Sequence, residues 1–265
     1  MAQQHRLLEP FTQSDQESEK IIKRLRTALE EAGQLQRKFA TKFKLDDSVT
    51  RAAFIGRRKF NEPLKTLAEN GWFISWWDTP LAWVYPLARL FENRQAEHAN
   101  RRLRNHFAKQ IASIEAILSQ QFPHRAAILK KAFAAHRCRD YELAIPVFLI
   151  QADGIAREII GGDVYSRQAK KRQKLKTFVE SNTFDELQKE IIELLLLPLP
   201  LNASTGDSML IKGVLTRHEI LHGNQTDYAS ATNSYRAISW LQYVATFEEQ
   251  KDFAKRHRAR QKADD

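Results

Sequence analysis

The chain has 265 residues, enough for one large domain or two small ones with a real core. Apolar residues make up 43% and charged residues 28%, which excludes a disordered chain; nine Gly and eight Pro among many Ala, Leu, Lys, Glu, Arg and Gln favour helix throughout. A net charge of +10 makes a polyanion the expected partner, nucleic acid before an anionic membrane surface, and a single cysteine, Cys138, excludes an internal disulfide and suits a reducing, cytoplasmic setting.

Residues 1–18 read as a polar leader, and the first 20 residues have no apolar core of signal-peptide length. A helix is expected over 18–43, where Ile21, Ile22, Leu25, Leu29, Ala32, Leu35 and Phe39 recur at three- and four-residue steps and Lys and Arg fill the other face. A second segment covers 47–60. Asn70-Gly71 signals a turn and Pro80 a break. The most apolar stretch, 72–91, contains Asp78, Pro80, Pro86 and Arg89, so it reads as core or an oligomer interface and no membrane partner is expected. Trp72, Trp76, Trp77 and Trp83 are expected in that core rather than as base-stacking groups. A third helix is expected over 87–120. It is basic in its first half through Arg94, Arg101, Arg102, Arg104 and Lys109, and Phe122-Pro123 ends it. A boundary there gives a helical N-terminal region, 1–121, and a helical bundle, 122–265.

In the second part an amphipathic helix is expected over 125–138. His136 lies two residues from Cys138 and faces away from it, so Cys138 is not expected to be a nucleophile. A long helix over 141–160, apolar nearly all round at 143–150, is expected at the centre and is stopped by Gly161-Gly162. The basic run that follows includes Lys170, Lys171, Arg172, Lys174 and Lys176; it reads as a solvated loop or a nucleic-acid backbone contact. Further helices are expected over 185–197 and 230–258, with a candidate site segment at 210–223 between them. No stretch alternates like a strand, so the fold class is all-α.

The site segment satisfies two chemical patterns at once. His218-Glu219-x-x-His222 fits a zinc hydrolase, in which two histidines four apart bind the metal and the Glu activates water. A third ligand is needed, and Glu248 or Glu249 are the candidates downstream. Arg217-x4-His222 fits metal-free RNA cleavage: the Arg holds a phosphate and the His moves a proton of the ribose 2′-hydroxyl or of the leaving 5′-oxygen. The same spacing occurs at Arg101-x4-His106, inside the basic helix.

Residues 216–223 (Thr-Arg-His-Glu-Ile-Leu-His-Gly), followed by Asp227-Tyr228 and Asn233-Ser234-Tyr235-Arg236-Ala237, resemble the last part of proteins of the HEPN superfamily, small helical domains that include ribonucleases of toxin and defence systems. Tyr141 through Phe148 and Asp153-Gly154-Ile155 look like the long helix upstream in such proteins. The resemblance spans roughly residues 125–250. It implies catalysis by Arg217 and His222, with His218 standing where Asn is commoner, and no metal or other cofactor. It further implies a homodimer that faces two such sites across one cleft, and an antitoxin or regulatory partner encoded separately. Asn233, Arg236 and Tyr228 are expected to contact RNA beside Lys170, Lys171, Arg172 and Lys174. The alternatives are a zinc metallopeptidase and an RNA-binding or regulatory module without activity.

Overall fold

The computed structural model describes residues 60–75, 79–162, 164–165, 169–181, 186–203 and 213–248. The helix expected over 18–43 and nearly all of the segment at 47–60 lie outside these, as do Trp76 and Trp77. The described helices are α1 (Asn61–Glu69), α2 (Val84–Glu92), α3 (Ala96–Gln121), α4 (Ala126–Arg137), α5 (Tyr141–Ile160), α6 (Ala169–Ser181), α7 (Glu186–Glu193), α8 (Arg217–Leu221) and α9 (Ala231–Ala245), with short 3-10 turns between some of them. No strand occurs among the described residues, and the fold is all-α. No described helix is long and apolar enough to cross a membrane.

Helices α4 and α5 match the sequence expectation closely, and Gly161 ends α5 at φ +72°. The helix expected over 87–120 is two helices. It breaks at Asn93-Arg94, where Arg94 takes φ +59°, the amide of Gln95 reaches Leu90 O at 2.7 Å and that of Arg94 reaches Phe91 O at 3.0 Å. That is a Schellman turn made without glycine. The basic run is helical from Ala169, as its Lys, Arg, Gln and Leu content permits.

Helix α5 is the centre. It packs against α4 on one side and α9 on another, with α6 and α8 touching it further along. Ala144, Ile145, Phe148, Leu149, Ala152, Ile155 and Ala156 are all fully buried on it, and Phe148 meets Phe133 of α4 with ring centroids 4.9 Å apart. At Gly154 the space of a Cβ is taken by the Arg125 guanidinium, whose Nη1 would lie 2.6 Å from it and donates to Gln151 Oε1 at 2.8 Å. Helix α5 leaves Leu143 and Ile150, 62% and 50% exposed, on its outer side.

The core draws on both sides of residue 122. Trp72 is fully buried and stacks on Phe107 of α3 at 5.8 Å, while Phe73 meets Trp240 of α9 edge-on at 4.5 Å. Tyr243 of α9 is fully buried and donates its hydroxyl to Ile191 O at 2.6 Å, which ties α9 to α7. Burial of this kind is the main favourable term in folding. Phe148→Ala is expected to lower the unfolding free energy by roughly 3–5 kcal/mol, whereas Ile150→Ala two residues on stays within roughly 0.5 kcal/mol, as read from urea midpoints.

One polar pair sits in this core. His136 of α4, 6% exposed, shares a 2.7 Å hydrogen bond between Nδ1 and Ser234 Oγ of α9 and meets Tyr235 edge-on. Burial, with Arg137 adding to it, lowers the His136 pKa from 6.5 to about 4. The unfolded chain therefore takes this proton first as pH falls. Stability is at its full value above pH 6.5 and declines between 6.5 and 4, by on the order of 3 kcal/mol from this group. The gap in stability between the wild type and His136→Gln is expected to narrow over that interval in thermal melts.

Candidate functional site

Helix α8 has five residues, too few to persist without outside support. Three contacts supply it. Ile220 is buried beneath it. Arg217, the first residue, donates from Nη2 to Asp153 Oδ2 of α5 at 2.9 Å and lies over the Tyr165 ring at 4.4 Å. Tyr165 is itself fixed, since its hydroxyl accepts from Trp240 Nε1 of α9 at 2.7 Å. At the other end Gly223 adopts φ +75°, its amide reaches Ile220 O at 3.1 Å and the Asn224 amide reaches Glu219 O at 2.8 Å. This Schellman turn needs a left-handed residue at position 223, where glycine carries no steric cost.

The helix thus ends at His222, which is exposed. His218 lies one turn earlier on the same face, and the two imidazoles approach to 4.4 Å between centroids. Arg217 and His222 are five residues apart, about 140° around an ideal helix. Arg217 accordingly turns inward to Asp153 and Tyr165 while His222 faces out.

The zinc pattern brings its two histidines together and goes no further among the described residues. There, no group of three or more His, Cys, Asp or Glu side chains is placed to hold a metal ion. Glu248 is described and joins no such group; Glu249 lies outside the described residues. A catalytic zinc needs three protein ligands.

Both flanks of α8 are tied to the start of α9. Ser230 caps α9, its Oγ accepting from the Asn233 amide at 3.1 Å. The Asn233 side chain donates to Tyr228 O at 2.9 Å on the flank after the site. Its Oδ1 accepts from Arg236 Nη1 at 2.9 Å, and the same Nη1 donates to Gly213 O at 2.6 Å on the flank before the site. Arg236 is 6% exposed and lies 5.8 Å above the Trp72 ring, against Gly71, whose added Cβ would meet Arg236 Cδ at 3.0 Å. Its pKa is lowered to about 10 by burial first and by Arg104 second, so it keeps its charge at neutral pH. Asn233 and the two terminal nitrogens of Arg236 are therefore buried struts that bond to protein groups, while Arg236 Nε is buried without a hydrogen-bond partner.

Tyr228 is anchored by a different device. Pro146 sits inside α5 and has no N–H to give to the carbonyl four residues back, Glu142 O. The Tyr228 hydroxyl donates to that carbonyl at 3.0 Å. Of the basic run, Lys170, Lys171 and Arg172 lie in the first turn of α6, and Lys174 is exposed one turn on. The second Arg-His pair is not an analogue of the first: His106 lies within 3.3 Å of Thr79 Oγ1 and contacts Gln110, and Arg101 points to solvent.

Asp153, Tyr165 and Pro146 were not marked as site residues by pattern. Asp153 had a signal, being the one charged residue in 143–156. Gly223→Ala forces a Cβ into the left-handed region and is expected to cost roughly 1–2 kcal/mol, seen as a lower urea midpoint with unchanged slope. Compared with protein-family models, with curated proteins and with solved structures, the chain matches none.

Proposed function

We propose that the protein is a metal-independent endoribonuclease of the HEPN type, with Arg217 and His222 as its catalytic residues and His218 beside them. The observation that carries the reading is the 4.4 Å pairing of the His218 and His222 rings at the free end of a helix whose first residue, Arg217, is clamped to the central helix. Two imidazoles and a guanidinium are thereby gathered on six consecutive residues, the guanidinium held by Asp153 and Tyr165 and the imidazoles open to solvent, which supplies the groups that proton transfer beside a phosphate requires.

In the proposed reaction His222 takes the proton of the ribose 2′-hydroxyl, and the oxygen attacks the adjacent phosphorus. The bond from phosphorus to the 5′-oxygen breaks, and a protonated imidazole, His218 or the partner's His222 in a dimer, returns a proton to the leaving oxygen. The products are a 2′,3′-cyclic phosphate and a 5′-hydroxyl, so no water or metal is consumed. Arg217 uses Nη2 on Asp153, which leaves Nη1 for a non-bridging phosphate oxygen and the charge that develops there. Exposed Leu143 and Ile150, on the helix that also carries Asp153, favour a second copy as partner, which would set two such sites across one cleft. The basic start of α6, Lys170, Lys171, Arg172 and Lys174, follows Tyr165 closely in the chain and is assigned to backbone contact. The same resemblance sets the activity in toxin or phage defence, with a separate restraining partner.

Cleavage of a mixed RNA in excess EDTA tests this. Wild type and Glu219→Gln are expected to cut equally, and His222→Ala to lose at least 100-fold, on the order expected for a lost acid or base. Equal cutting by His222→Ala sinks the assignment. Activity that EDTA and Glu219→Gln both abolish would instead mark a zinc enzyme.

A further inference from the structure

The outer face of α3 carries a second feature that catalysis by α8 does not use. His98, Arg101, Arg102, Asn105, His106 and Lys109 recur at three- and four-residue steps, so they share one side of the helix over about 16 Å. No Asp or Glu occurs between residues 98 and 114. The nearest acid, Glu97, is spent on Arg104 at 2.9 Å. Among the described residues Arg101, Arg102 and Lys109 have no carboxylate partner.

Beside this row stands Trp83, in the 3-10 turn Leu81–Trp83. Unlike Trp72, which is fully buried, Trp83 is half-exposed. The Arg102 guanidinium lies over its ring at 5.1 Å, and His106 meets it edge-on at 5.3 Å. A half-exposed indole framed by an arginine and a histidine, next to an uncompensated basic row, is the pairing of aromatic platform and cationic track that holds single-stranded nucleic acid. Duplex bases present no open face for such a platform.

We infer that the Trp83–Arg102–His106 surface, with Arg101 and Lys109, binds single-stranded RNA by stacking a base on Trp83 and neutralising phosphates along α3. The choice of RNA over DNA rests on the ribonuclease reading; the surface itself does not. It also has a path to the cleavage segment: Arg104, one turn from Arg101, donates to Thr232 Oγ1 at 2.6 Å, and Thr232 lies in the first turn of α9, which begins where the loop after His222 ends. That bond ties α3 to the helix that follows the candidate site in the chain.

The test is fluorescence anisotropy with the full chain and a labelled, unstructured 12-nucleotide RNA made uncleavable by 2′-O-methylation, titrated at several salt concentrations, with melting temperatures recorded for each variant. Arg101→Gln/Arg102→Gln/Lys109→Gln is expected to bind at least tenfold more weakly, with the slope of log affinity against log salt reduced by about 2. Trp83→Leu is expected to bind on the order of tenfold more weakly with that slope unchanged, since stacking releases no counterions. A duplex of the same length is expected to be insensitive to Trp83→Leu. Folded variants that bind like the wild type overturn the inference, and so does a wild type that ignores RNA and binds anionic vesicles. Binding that follows these variants while His222→Ala and the wild type are equally active or inactive removes the ribonuclease reading and leaves the surface standing.

Discussion

Helix α5 has to be dry on most of its circumference, and α4 and α9, with α6 and α8 further along, keep it so. Its buried alanines let α4 and α9 approach closely, and Phe148 fills the gap between α5 and α4. A polar group on such a helix is tolerated only with a partner, because an unpaired one forfeits its hydration without return. Asp153 has Arg217 and Arg157; Gln151 has Arg125. The candidate site is thus built on an exception to the core, and Arg217 is both the partner of a half-buried acid and the first residue of α8.

The short helix α8 borrows its shape from its surroundings. Its flanks converge on Asn233 and Arg236 at the start of α9, and its inward face on Asp153 and Tyr165. Among the described residues Arg236 hydrogen-bonds no carboxylate; its charge is offset by the Gly213 carbonyl, the side-chain amide oxygens of Asn233 and Asn100 and the face of Trp72. The two arginines divide the work: Arg236 fixes backbone and is shut away from solvent, while Arg217 keeps part of its guanidinium free.

Much of the fold was legible. The bounds of α5 follow from its apolar run and Gly161, and the end of α3 from Phe122-Pro123. The break between α2 and α3 was not, because Asn93-Arg94-Gln95 contains neither Gly nor Pro and its left-handed residue is an arginine. The six residues of the candidate site stood out by spacing, but their orientation did not: a pattern of intervals cannot say that Arg217 turns in and His222 out. Asn233 and Arg236 read from sequence as RNA contacts, and nothing local distinguishes a solvated arginine from one buried over Trp72, 164 residues away in the chain. Trp83 and Trp72 likewise share a composition and differ only in which helix face happens to cover them.

Pro146 leaves α5 with a carbonyl that its own helix cannot use, and Tyr228 occupies it. The two positions therefore form a lock whose halves have meaning only together. With any other residue at 146 the amide would return and close the helical ladder, and the tyrosine hydroxyl would have to share its acceptor or turn to water. Residues 146 and 228 are distant in the chain, one in α5 and the other in the loop after α8, yet they inherit a common fate: a lineage that loses the proline loses the reason for the hydroxyl, and the loop behind His222 would then need a new mooring.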